Sequence, residues 1–183
     1  MEAVERTERL AEARTPGKTA ELAETVRNAK AGIKARVEAF ETLAAAHADP
    51  QTLFPLACDL ASGDEPALRA VAVETLAAML KRGEAIDKER AASILARAAG
   101  SEDAGIRRAC ANGLASLKTC EAVQALAELL GDEDRLVRMT SCNVLVNLSG
   151  DSFGYEYIKP PVDQTAALEK WQAWAKAWKP EAQ

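Results

Sequence analysis

The sequence predicts an all-α fold: an array of about four short helical hairpins, closed at its C-terminal end by a further helix. Three observations lead there. In a chain of 183 residues, hydrophobic residues make up 48% but aromatics only 4%. Ala, Leu, Glu and Arg dominate, a helix-forming vocabulary with little for strands. The ten glycines and seven prolines fall in small clusters between apolar stretches, as punctuation between helices. The third observation is internal similarity at a period of a few tens of residues. Leu68-Arg69-Ala70-Val71-Ala72, Ile106-Arg107-Arg108-Ala109-Cys110 and Val137-Arg138-Met139-Thr140-Ser141 align without gaps. Each has a leucine eight places after its first residue (Leu76, Leu114, Leu145) and an apolar residue eleven places after it (Met79, Leu117, Leu148).

Taken in order, Met1–Arg14 is highly charged, with Val4, Leu10 and Ala11 as its apolar anchors. Thr15-Pro16-Gly17 separates it from Thr19–Lys30, where Leu22, Val26 and Ala29 lie on one helical stripe that Ile33 continues. A weaker copy of the repeat follows at Ala35-Arg36-Val37, with Leu43 in register. Arg36, Arg69, Arg107 and Arg138 therefore recur at intervals of 33, 38 and 31 residues. Offsets of 4, 8 and 11 fall on one face at 3.6 residues per turn, so each copy is an amphipathic helix. Short amphipathic segments precede the copies at Leu53–Ala61, Arg90–Ala99 and Val123–Leu130. Between the paired segments stand Ser62-Gly63-Asp64-Glu65-Pro66, Gly100-Ser101-Glu102-Asp103 and Gly131-Asp132-Glu133-Asp134. In these, glycine ends one helix and carboxylates cap the positive end of the next. The unit is helix, acidic turn, arginine-bearing helix.

The stretch Leu126–Arg138 (LAELLGDEDRLVR), followed by Leu145, resembles a HEAT repeat. In that family an Asp and an Arg six positions apart help tie successive repeats together. Here Asp132 and Arg138 keep the spacing, whereas Ser101 precedes Arg107 and Gly63 precedes Arg69. The short periods are similar to the HEAT-like repeats of bacterial proteins, and the resemblance covers about residues 19–148. The tail, Phe153-Gly154-Tyr155, a Pro160-Pro161 break and a segment bearing Trp171 and Trp174, looks like the end of many bacterial HEAT-repeat proteins. Leu168, Trp171, Trp174 or Ala175, and Trp178 form one stripe. Such a stripe can cover the apolar side that the last repeat of an array leaves open. The resemblance implies a right-handed α-solenoid, with an N-terminal extension at 1–16, repeats at 17–148 and a closing loop and helix at 149–183.

Little in the chain points to catalysis. His47 is the one histidine and has no ligand-spaced partner for a common metal site. Cys58, Cys110, Cys120 and Cys142 form no CxxC pair and read as packed thiols of a reducing compartment. Cys120, at a helix start, is the one placed for a lowered pKa. No phosphate loop, nucleophile elbow or dinucleotide fingerprint occurs. The net charge of −5 argues against a dedicated nucleic-acid binder, and no apolar run reaches the length of a membrane span. No cofactor, no metal and a cytoplasmic location are expected, an exported chain with its leader removed being the alternative.

The resemblance implies a non-catalytic scaffold or adaptor that binds another protein. In HEAT-type stacking the arginine-bearing helices line the concave surface. That puts Glu74, Asn112 and Asn143, six places after each anchor, in a polar row, with Arg108 and Met139 beside it. Arg69, Arg107 and Arg138 form a neighbouring row that is either structural or partner-facing. A solvated face of local arginine–acid pairs is the simpler reading. The alternatives carried by resemblance are a chromophore-handling helper like the HEAT-like bilin lyases and, against the acidic balance, DNA binding of the kind shown by HEAT-like glycosylases.

Overall fold

The computed structural model describes residues 2–180, and every regular element among them is helical. They are α1 (Glu2–Ala13), α2 (Pro16–Arg27), α3 (Ile33–Ala45), α4 (Pro50–Ala61) and α5 (Pro66–Lys81). Then follow α6 (Lys88–Ala98), α7 (Ala104–Leu114), α8 (Cys120–Leu129), α9 (Arg135–Ser149), a 3-10 turn at Pro161–Gln164 and α10 (Thr165–Ala177). The chain divides into two compact units. The first runs to Leu76 and includes Glu84–Ile86; the second comprises Ala77–Gly83 and everything from Asp87 onward.

The acidic turns before α7 and α9 cap those helices as the sequence suggests, through Asp103 and Asp134, and three further helices are capped in the same way. Asp49, Asp87, Asp103, Thr119 and Asp134 are N-caps whose side chains accept hydrogen bonds from first-turn amides of α4, α6, α7, α8 and α9. Each such cap is worth about 1 kcal/mol, because it satisfies a donor the helix cannot.

In the first unit α2 packs against α3, and α1 contacts both. Phe40, Leu43, Val26 and Ala23 form the buried centre. Thr19 Oγ1 donates to the Ala13 carbonyl at 2.7 Å and Arg14 Nε to the Ala46 carbonyl at 2.6 Å, pinning the α1–α2 corner. Two local expectations change here. Pro16 is not part of the break but the first residue of α2, where its missing N–H costs nothing. And Ile33 does not extend the α2 stripe. Helix α2 stops at Arg27, because Asn28 is extended and its side chain accepts from Lys30 N in a tight turn. Ile33 opens α3 instead and is 42% exposed.

In the second unit α6 packs on α7 and α8, α7 on α9, and α8 on α9 and α10. Leu95, Leu114, Leu126, Leu130, Leu145 and Trp171 are fully buried, each contributing about 1.5–3 kcal/mol by leaving water. The repeat register holds at Leu114 and Leu145. Leu117 is also buried, yet it lies beyond the end of α7 in the turn leading to the Thr119 cap. Gly113 lets helices approach closely: a Cβ there would stand 2.6 Å from Leu95 Cδ1 and 3.0 Å from Ala77 Cα.

The chain leaves α9 through left-handed Gly150 and turns again at Phe153 and Gly154, with φ of 49° and 79°. This reversal drives the Tyr155 ring inward, where its hydroxyl donates to the Leu130 carbonyl at 2.6 Å. Buried Gln164 binds the loop's backbone, accepting from Glu156 N and donating to the carbonyls of Glu156, Lys159 and Pro160. Phe153 meets Trp171 edge-on at 4.7 Å, and Trp171 meets Trp174 at 5.5 Å. Trp171 is completely buried, while Trp174 and Trp178 are half-buried.

Candidate functional site

Arg107 and Arg138 occupy the same repeat position and do the same first task. Nη1 of each donates to two carbonyls of its own acidic turn: Ser101 and Glu102 for Arg107, Asp132 and Glu133 for Arg138. The rest of each guanidinium reaches forward along the chain. Arg107 forks onto the Asp132 carboxylate, Nε to Oδ2 at 2.7 Å and Nη2 to Oδ1 at 3.1 Å, and Nη2 also reaches Glu133 at 3.1 Å. Arg138 Nε meets the Tyr157 carbonyl of the closing loop at 3.1 Å. The Asp132 and Arg107 side chains are only 4% and 10% exposed. Hydrogen bonding to Asp132 outweighs desolvation and holds the Arg107 pKa above its ordinary value.

Beside this clamp, Arg108 Nη2 donates to Asp134 at 2.9 Å. Asp134 also caps α9 through Leu136 N and Val137 N. Desolvation pushes the Asp134 pKa up, but hydrogen bonds from Arg108 and from the Val137 and Leu136 amides outweigh it, so the carboxyl sits below its ordinary value. Further along the same two helices, Asn112 and Asn143 are exposed, and neither side chain has a partner among the described residues.

Residues 92–153 match the sequence profile of HEAT repeats. This segment carries HEAT repeats. The matched segment contains α7, the Arg107–Asp132 clamp and α9. No curated protein matches the sequence. Among solved structures, the crystal structure of an engineered protein, a Northeast Structural Genomics Consortium target, superposes over 94% of this chain and 87% of its own. Its TM-score is 0.54 at 15% identity, a likeness of fold alone. With the helical succession, these place the chain in the all-α solenoid class.

Within the HEAT repeats, the tie between successive repeats differs from the simple spacing of Asp132 and Arg138. The Asp132 carboxylate serves Arg107 of the preceding arginine-bearing helix, while only its carbonyl serves Arg138. Of the two readings left open for the arginine row, Arg107 and Arg138 take the structural one. Both are buried, 8% and 5% exposed, and their guanidiniums are spent within the fold. In the first unit Arg69 Nη2 binds the Asp64 carbonyl of its own turn at 3.2 Å, and its Nε is buried without a partner. Glu74 is exposed on α5 of that unit. The second unit brings Arg108, Asn112, Met139 and Asn143 onto two neighbouring helices, with Met139 half-buried. Sequence reasoning passed over Leu136, which is 48% exposed. Its signal was the register: one place before the buried anchor lies off the apolar stripe, and the other copies have Ala67 and Gly105 there.

His47 is exposed, in the left-handed corner between α3 and α4. Among the described residues no group of three or more His, Cys, Asp or Glu side chains is arranged to hold a metal ion. Cys58, Cys110 and Cys142 are buried. Burial pushes the Cys110 thiol up to about 12 and raises that of Cys142. Cys120 opens α8, but its Sγ lies 3.6 Å from the Trp178 carbonyl, a packing contact with the chain that follows α10. No helix of the described chain is long and apolar enough to cross a membrane.

Proposed function

We propose that this chain is a non-catalytic interaction module that binds another protein through the exposed side of α7 and α9. HEAT repeats are commonly protein-interaction scaffolds, and solenoid repeats present broad surfaces of this kind. The observation that carries the reading is the pair Asn112 and Asn143. They hold equivalent positions on packed neighbouring helices, exposed and unengaged, beside Arg108 and Met139. A structural role would have left them hydrogen-bonded, as it has Arg107 and Arg138.

The test is affinity capture from the native lysate with wild type and with Asn112→Lys/Asn143→Lys as bait. Arg108 is the poorer handle, because reversing its charge would also disturb the Asp134 cap of α9. The expected result is one protein retained by wild type and lost with the variant, at an unchanged Tm. Equal retention of that protein by both baits would overturn the assignment. A retained pigment in place of a protein would favour the chromophore-handling reading.

A further inference from the structure

We draw no further inference here: the strongest candidate, the groove of the first unit that α1 lines with Arg6 and Arg9 and α3 with Glu38 and Glu41, carries charges of both signs, and nothing in the structure shows what covers it.

Discussion

Replacing Asp132 by alanine is the most direct way to ask what the buried clamp contributes. The substitution removes the forked bonds to Arg107 at 2.7 and 3.1 Å, and also the bond that Asp132 Oδ1 accepts from Asp134 N at 2.7 Å. The Arg107 side chain, 10% exposed, then keeps a buried charge with its main counter-ion gone. Breaking a buried ion pair from one side costs about 3–5 kcal/mol. Here Arg107 retains the Ser101 and Glu102 carbonyls and the exposed Glu133, which brings the loss to about 2–4 kcal/mol. For a chain of this size that lowers Tm by about 5–15 °C. Urea denaturation followed by circular dichroism measures the loss, and Arg107→Met with the double variant completes a cycle. The double variant should be less destabilised than the sum of the single ones, with a coupling of about 2 kcal/mol. A cost for Asp132→Ala below about 1 kcal/mol, or simple additivity, would refute the clamp. The exposed Lys18–Glu21 pair is the contrast: Lys18→Ala should leave the urea midpoint where it was.

Three further outcomes are expected. Gly113→Ala gains about 1 kcal/mol of helix propensity, but its Cβ meets Leu95 at 2.6 Å and Ala77 Cα at 3.0 Å. Overpacking of this kind costs about 1–3 kcal/mol, so the urea midpoint should fall, and a rise would contradict the close approach. The depressed pKa of Asp134 means that its contribution is complete above the unfolded carboxyl value of about 3.9 and is lost as pH falls through the folded value. The stability difference between wild type and Asp134→Ala should therefore be flat from neutral pH down to about 5 and shrink below about 4; a difference that grows with acid would reverse the sign. Finally, a thiol reagent at pH 8 should label native Cys120 ahead of buried Cys58, Cys110 and Cys142, with all four reacting in denaturant. Fast native labelling of Cys110, whose thiol burial pushes to about 12, would show that α7 opens readily.

Much of this molecule was legible before any coordinates. Periodicity reports which face of a helix leaves water, so the recurrence behind Leu114 and Leu145 located α7 and α9 and their buried stripe. Acidic residues ahead of those helices announced the caps, because capping is settled within one turn of chain. The stripe carrying Trp171 likewise announced a helix that closes the last repeat, and Trp171 is buried. The Tyr155 corner was harder to foresee, because it depends on left-handed Phe153 and on the Leu130 carbonyl, 25 residues back along the chain.

By itself the sequence determined the all-α class, the arginine-bearing repeat unit, the capped turns and the candidates Arg108, Asn112, Met139 and Asn143. Tertiary structure alone decided the fate of the arginine row. Asp132 and Arg138 stand six apart in sequence, yet the carboxylate pairs with Arg107, 25 residues upstream. That choice depends on which turn lies beside which helix once successive repeats pack, and no local pattern encodes it. The same packing buries the charges it can satisfy and leaves Asn112 and Asn143 outside. A side chain's role is set by its neighbours across the fold, whereas its helix is set by its neighbours along the chain.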